Sequence, residues 1–289
     1  MYSDRPLKVP AKAIKTLIDL ALEEDAAGDD ITTKILIPPN LKASAVLLAK
    51  GEGVLAGVSI AKSVFQRLDP AVKFNILIED GGKLQPGDVI AEMSGKAQAI
   101  LTGERTALNF VQRLSGIATL TAQFVTAVGD LPVWIVDTRK TTPGYRLLEK
   151  YAVQAGGGKN HRMNLADGIL IKDNHIALLR KQGMTIEKAV KKARKEEPQG
   201  LAIEVETTSL EEVREAVKAG ADIIMFDNMS PAMMKRACKL LPGGIWSEAS
   251  GGVNLSTVRK IAESGVTIIS IGALTHSPKA LDISLELKP

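Results

Sequence analysis

Six short polar segments hold most of the side chains in this chain that could do chemistry, and each follows an apolar run. They are Asp137-Thr138-Arg139-Lys140-Thr141-Thr142-Pro143-Gly144, Lys172-Asp173-Asn174-His175, Glu204-Val205-Glu206, Asp227-Asn228, Glu248-Ala249-Ser250-Gly251-Gly252 and Gly272-Ala273. The first two supply cations, the next two acids, and the last two glycine and serine. One Lys or Arg in such a place is as readily a solvated loop residue as a ligand. Six in succession, sorted by charge, point to a site. Arg binds carboxylate or phosphate through a bidentate fork, each charge-assisted contact contributing roughly 1.5–3 kcal/mol. Acids can hold Mg²⁺ or sugar hydroxyls. Small residues let backbone N–H groups approach a phosphate.

Two further segments join them. Gly156-Gly157-Gly158-Lys159-Asn160-His161-Arg162 is a glycine run delivering an imidazole and a guanidinium. It is not a P-loop, because the spacing to Lys is wrong and no strand precedes it. Thr102-Gly103-Glu104-Arg105 is expected to open a long helix with Thr102 or Gly103 as cap, where Arg105 would oppose the macrodipole unless an anion met it. Gly51-Glu52-Gly53 with Gly57 lacks the βαβ setting of a dinucleotide fingerprint, and Gly28 to Thr33 reads as a turn or helix boundary. Glu204 and Glu206 lie two apart on one strand face, whereas glycosidases flank the scissile bond with their two acids; that pairing is set aside.

The elements that must position these groups come in two styles. Up to Leu101 the pattern is α+β: a helix over Ile14–Leu22, then strand-like runs at Ala43–Ala49, Val72–Ile78 and Val89–Met93 between Gly and Pro turns. A long amphipathic helix is expected over Glu104–Val128, with a break near Gly116. Beyond it, apolar runs at Val133–Val136, Ile169–Ile171, Ala202–Val205, Ile223–Phe226, Ile245–Trp246 and Thr267–Ile271 alternate with helical patterns such as Leu210–Ala219, Met233–Leu241 and Leu255–Ser264. That rhythm indicates βαβ units around a parallel sheet, with functional residues at the strands' carboxyl ends. The expected fold class is α/β: an N-terminal α+β domain plus an incomplete TIM-like barrel of about six parallel strands.

Composition narrows the function classes. With 37 Lys and Arg against 33 Asp and Glu, the net charge is +4, yet aromatics are only 3% and interleave with no basic run. Nucleic acid is therefore not the expected partner, and the basic stretch Lys181 to Lys195 reads as a solvated helix face. One cysteine, Cys238, excludes an intrachain disulfide, fits a reducing compartment and reads as packing. Three His and one Cys are too few and too dispersed for a Cys/His metal site. No apolar stretch has membrane-spanning length, and the N-terminus has no secretory apolar core, so a cytoplasmic protein is expected.

The polar segments, together with Glu104-Arg105-Thr106, Leu170 to Ile176, Phe226-Asp227-Asn228 and Ser270-Ile271-Gly272, resemble quinolinate phosphoribosyltransferases in order and spacing, from about Ala21 to Leu287. Asn164 stands where many members have glycine. The resemblance implies an N-terminal domain over 1–115, a barrel over 116–274 and a segment, 275–289, returning to the first domain. It implies a homodimer, or a higher homo-oligomer, with sites between subunits. It also implies Mg²⁺-dependent transfer of phosphoribosyl from PRPP to the quinolinate nitrogen, giving nicotinate mononucleotide, carbon dioxide and pyrophosphate. By motif position Arg105, Arg139, His161 and Arg162 would hold the quinolinate carboxylates, with Thr138 beside them and Lys140 and Lys172 reaching both substrates. Glu206 and Asp227 would meet ribose hydroxyls and the metal, directly or through water. Ser250, Gly251, Gly252, Ile271 and Gly272 would meet the 5′-phosphate. From the residues alone two alternatives stay open: transfer to another ring acid such as nicotinate, and a non-catalytic phosphate sensor.

Overall fold

The structure is a computed structural model that describes residues 2, 6–197 and 200–288. Of the N-terminal stretch read for a secretory signal, Met1 and Ser3 to Arg5 lie outside the described residues. The chain divides into two compact units, one of Pro6–Ala122, Leu147–Gly157 and 277–288, the other of Gln123–Arg146 and Gly158–His276 with Tyr2.

The first unit is α+β. In chain order it holds α1 (Ala11–Glu24), α2 (Ile31–Leu36), β1 (Lys42–Ala49), β2 (Gly53–Val54), α3 (Val58–Leu68), β3 (Lys73–Ile76), β4 (Lys83–Leu84), β5 (Val89–Lys96) and most of α4 (Ala97–Val128). Four strands form an antiparallel sheet in the order β12-β1-β5-β3, where β12 is Ile283–Lys288. Ala45, Leu47 and Ala49 recur every second residue of β1 and are buried, as the pleat requires of one covered face. Phe65 of α3 packs on Phe74 of β3 with ring centroids 6.0 Å apart. Gly57, at φ 92°, precedes α3, and Asp80 Oδ1 accepts the first helical N–H, from Val58, at 3.0 Å.

Helix α4 departs from the sequence expectation in two ways. It starts at Ala97, directly after β5, because Ala97 to Leu101 contains no breaker. Thr102, Gly103 and Arg105 therefore lie inside it: neither Thr102 nor Gly103 is a cap, and Arg105 does not sit against the macrodipole. The helix also runs through Gly116 unbroken. A Cβ at Gly116 would overlap the Lys279 carbonyl oxygen, so this glycine serves a close backbone approach and not a kink.

The second unit is α/β. It holds β6 (Trp134–Val136), β7 (Ile169–Ile171), α6 (Asp173–Arg180), α7 (Ile186–Glu196), β8 (Ile203–Thr207), α8 (Leu210–Ala219), β9 (Ile223–Asp227), α9 (Pro231–Cys238), β10 (Trp246–Ser250), α10 (Val258–Ala262), β11 (Ile268–Ser270) and α11 (Ala273–His276); α5 (Arg146–Ala155) belongs almost wholly to the first unit. Its six strands form a parallel sheet in the order β6-β11-β10-β9-β8-β7, the arrangement of an incomplete TIM-like barrel. Among the described residues β6 and β7 do not pair. The free edge of β6 instead takes a parallel bridge to Lys159, whose N–H donates to Ile135 O at 2.8 Å and whose carbonyl accepts from Asp137 N–H at 3.2 Å.

The helices start where side chains can cap them. Thr185, Ser209 and Ser230 accept the N–H of Lys188, Glu212 and Met233, and Gly220 closes α8 in the left-handed region. From Ile186 onward the basic stretch forms α7 with Ile186, Ala189 and Val190 buried, while Lys181 lies in the preceding turn; Lys191 pairs with Glu187 at 2.6 Å and Arg194 with Asp222 at 2.6 Å on the exposed side. It is a solvated helix face, as its composition suggests. No described helix is long and apolar enough to cross a membrane.

The close approach at Gly116 gives a stability prediction. Gly116→Ala should destabilise the chain by about 1–3 kcal/mol despite alanine's better helix propensity, since the Lys279 backbone must move. Denaturant titration of wild type and variant measures it, and equal or higher stability of the variant would remove the constraint.

Candidate active site

Strand alternation builds the site. In β8 and β10 the residues two before the upper layer are also inward, so Glu204 lies below Glu206 and Glu248 below Ser250. Lys172 just beyond β7, Glu206, Asp227 at the end of β9, Ser250 and Ser270 ring the carboxyl ends of the strands. With Thr138, Arg139, Lys140, His161 and Arg162 they line a cavity of about 340 Å³, floored by Leu170, Met225 and Glu248.

Local bonds fix the loops that bring in the cations. Asp137, fully buried at the end of β6, accepts from Asn160 Nδ2 at 2.5 Å and from the His161 N–H at 2.9 Å. One carboxylate thus ties the first loop to the glycine-run segment. Thr138 Oγ1 accepts the Lys140 N–H at 3.0 Å, and the Lys140 carbonyl accepts from Thr275 Oγ1 at 2.8 Å. A Cβ at Gly272 would stand 2.9 Å from Lys140 Cδ, so glycine lets the lysine lie across the start of α11. On the far side Asn228 adopts φ 53°, donates its N–H to Ser250 O at 2.9 Å and its Nδ2 to Asp227 Oδ2 at 2.8 Å. Gly251 at φ 90° packs so tightly there that a Cβ would overlap the Asn228 amide.

Charge is unevenly spread around the cavity. Arg162 is pushed below its ordinary range first by burial and then by Arg139, so two guanidiniums share one wall. Arg139 Nε is buried without a hydrogen-bond partner, and Arg162 Nη1 donates to Gly168 O at 3.2 Å. Across from them Glu206 is raised by burial, then by Asp227 and Asp173, with Lys172 and Lys140 working the other way. The cavity therefore has an arginine-rich part and an acid-rich part, the second partly offset by the two lysines.

Beneath the cavity lies a buried cluster. His161 Nε2 stands 3.4 Å from Glu204 Oε2 and 3.5 Å from Glu248 Oε2, both glutamates fully buried. The Arg162 N–H donates to His161 Nδ1 at 2.7 Å. The Tyr2 hydroxyl donates to Glu248 Oε2; its ring meets His161 edge-on at 4.9 Å and lies parallel to Trp246 at 6.2 Å. Burial and then Glu248 push Glu204 up to about 7. Burial favours the neutral imidazole, but Glu248 and Glu204 outweigh it and raise His161 to about 9. The Arg162 amide opposes that second proton, because Nδ1 accepts a hydrogen bond only while unprotonated; the Nε2 proton is the one this geometry fixes. The three side chains offer ligand atoms within 4.8 Å of one another and could coordinate a divalent cation.

Residues 117–286 match the family profile "Quinolinate phosphoribosyl transferase, C-terminal domain", and residues 30–115 match the corresponding N-terminal domain. The chain belongs to this family. It is 47% identical over 274 residues to the "Probable nicotinate-nucleotide pyrophosphorylase [carboxylating]" of Bacillus subtilis (strain 168), covering 95% of this chain and 93% of the relative. The crystal structure of NadC from Streptococcus pyogenes superposes with a TM-score of 0.92 at 42% identity, covering 97% of this chain and 98% of that one. The nicotinate-nucleotide pyrophosphorylase of Francisella tularensis gives the same TM-score at 39% identity, covering 99% and 100%.

Nine of the residues singled out from the quinolinate phosphoribosyltransferase resemblance line the cavity: Thr138, Arg139, Lys140, His161, Arg162, Lys172, Glu206, Asp227 and Ser250. Gly251, Gly252, Ile271 and Gly272 adjoin that lining in sequence, with Ile271 buried. Arg105 is exposed on α4 and does not line this cavity. Sequence reasoning assigned no role to Asp137, Glu204, Glu248 or Tyr2. The available signal for the glutamates was their register, each two residues before a polar residue on the inward face of a short strand. Nothing in the sequence marks Tyr2.

Asp137 should be the tether of this site. Asp137→Ala leaves the buried Asn160 and His161 donors without this acceptor, a loss on the order of 2 kcal/mol. Denaturant midpoints for wild type, Asp137→Ala and Asp137→Asn test this; an unchanged midpoint for the alanine variant would refute the tether.

Proposed function

We propose that the chain transfers phosphoribosyl from PRPP to quinolinate with decarboxylation, forming nicotinate mononucleotide, pyrophosphate and carbon dioxide in NAD biosynthesis. The observation that carries this reading is the Arg139–Arg162 wall: two guanidiniums packed together, with a buried unpartnered Nε, call for more than one negative charge. A ring bearing two carboxylates supplies them. Lys140 and Lys172 line the same cavity and act on Glu206, which suits them to meet both substrates.

This reaction class calls for no protein nucleophile. As pyrophosphate leaves C1 of the ribose the sugar gains oxocarbenium character, so the protein contributes positioning and charge stabilisation. Glu206 and Asp227 face the ribose hydroxyls, while Ser250 with Gly251, Gly252 and Gly272 leaves room for the 5′-phosphate near backbone N–H groups. Once the ring nitrogen is quaternised it withdraws electrons, and the adjacent carboxylate departs as carbon dioxide.

Mg²⁺ belongs to this reading. Asp173, Glu206 and Asp227 are like charges close enough to raise Glu206, and hard oxygen donors in that arrangement suit Mg²⁺. The His161–Glu204–Glu248 cluster has an imidazole donor and is buried, which suits a softer ion. Bound at Glu206 and Asp227, directly or through water, Mg²⁺ would neutralise the departing pyrophosphate.

A cytoplasmic homodimer completes the proposal. Helix α2 leaves Ile31, Ile35 and Leu36 exposed, as α1 leaves Leu20, apolar surface that a second copy would cover. Arg105, exposed on α4, would then serve the partner's site.

With PRPP and quinolinate the protein should release pyrophosphate and carbon dioxide in equal amounts, and with nicotinate little of either. Arg139→Ala should lower turnover by about a hundredfold, since about 3 kcal/mol of charge-assisted contact is removed. Comparable pyrophosphate from nicotinate would leave the acceptor open, and none from either acid would favour a sensor. The dimer has its own test: inactive Arg105→Ala and Lys172→Ala subunits, mixed under exchange, should regain activity through hybrid sites. Persistent inactivity despite confirmed exchange would place Arg105 in its own subunit's chemistry.

A further inference from the structure

The cavity's ligand groups leave a buried assembly beneath them without a role, and its geometry bears on the residue above it. We infer that Glu204, Glu248 and Tyr2 form a post that orients His161 and through it Arg162, making His161 a positioning residue rather than a ligand of a substrate carboxylate. The inference rests on the quinolinate reading above and refines it.

Both ring nitrogens of His161 are committed within the protein. Nε2 points between the carboxylates of Glu204 and Glu248, and Nδ1 receives the amide of Arg162. A substrate carboxylate could reach a ring N–H only by displacing one of these partners. Arg162, by contrast, follows His161 directly in sequence, lines the cavity and stands beside Arg139. The hydrogen bond to Nδ1 therefore couples the ring's orientation to the backbone from which the Arg162 side chain springs.

The post stands on rigid ground. Glu204 and Glu248 come from β8 and β10, which flank β9 in the sheet, so their separation is set by strand spacing and not by loops. Tyr2 closes the assembly from the end where the strands begin: its ring lies parallel to Trp246, the first residue of β10, and its hydroxyl reaches Glu248. Glu204 has both oxygens buried, with the His161 ring at 3.4 Å as its cationic partner, and Glu248 Oε1 is buried without a hydrogen bond. Two such acids are costly fillers for a space that leucine or methionine could occupy, which argues for a task served by their charge and direction. Setting a catalytic cation through supporting hydrogen bonds is such a task.

The test compares KM for each substrate in the full-length enzyme. Glu248→Leu should raise the quinolinate KM about tenfold, the size expected from misdirecting one charge-assisted contact, while the PRPP KM stays within about twofold. Glu248→Gln, which can still accept from Nε2 and Tyr2, should restore most of the loss. In an Arg162→Lys background Glu248→Leu should add less than about twofold, because a residue acting through Arg162 is non-additive with it. Equal changes in both KM values, fully multiplicative effects, or no change in a folded variant would each overturn the inference. If Glu248→Leu does not fold, Tyr2→Phe replaces it: a rise of about threefold confined to quinolinate supports the post, and its absence overturns it. A wild-type enzyme that fails to use quinolinate would count against the functional reading instead.

Discussion

The open edge of β6 is the constraint on which the site depends. Six strands do not close a barrel that ordinarily takes eight, and an unpaired strand edge leaves backbone groups needing partners. The chain meets that need with Lys159, bridged to β6 in parallel, and the residues following it are Asn160, His161 and Arg162. Satisfying the edge thus delivers the imidazole and guanidinium to the inner wall. Asp137 fixes the register of that delivery by accepting from both Asn160 and His161. The cationic wall follows from incomplete closure, and a fully paired barrel would have had no such edge to fill.

Electrostatics then divide the cavity. Arg139, Lys140 and Arg162 come from the loop after β6 and the bridged segment, whereas Lys172 follows β7, next to the acid-bearing strand β8. One pocket thereby presents groups of both signs, with the two arginines acting on each other and the acids partly offset by lysine. Lys140 and Lys172 moderate the acids, as their opposite effect on Glu206 shows. A ligand carrying both anionic groups and a bound cation complements such a pocket better than a simple anion would.

Much of this was legible because the strands are short and end in polar clusters. An apolar run of three to five residues followed by Lys172-Asp173, Glu206 or Asp227-Asn228 announces both the strand and its functional end. The start of α4 was hidden because β5 passes into it with no capping residue or breaker between. Gly116 looked like a break because sequence offers no view of Lys279, distant in the chain yet in contact. Glu204 and Glu248 were obscured for a different reason. A carboxylate in a strand ordinarily signals the solvent face, and only the assembled sheet shows these two fully buried around an imidazole.

The interlock of Asn228 and Gly251 has an evolutionary consequence. Both positions hold left-handed backbone, and the asparagine amide fills the volume that any side chain at 251 would need. A substitution at Gly251 arising first meets backbone strain and steric overlap together. If Asn228 first becomes glycine, its own strain disappears and the space opens, leaving only the strain at 251. The two sites therefore behave as one heritable unit with a preferred order of change, and drift in the loop after β10 is gated by a residue on a neighbouring strand's end.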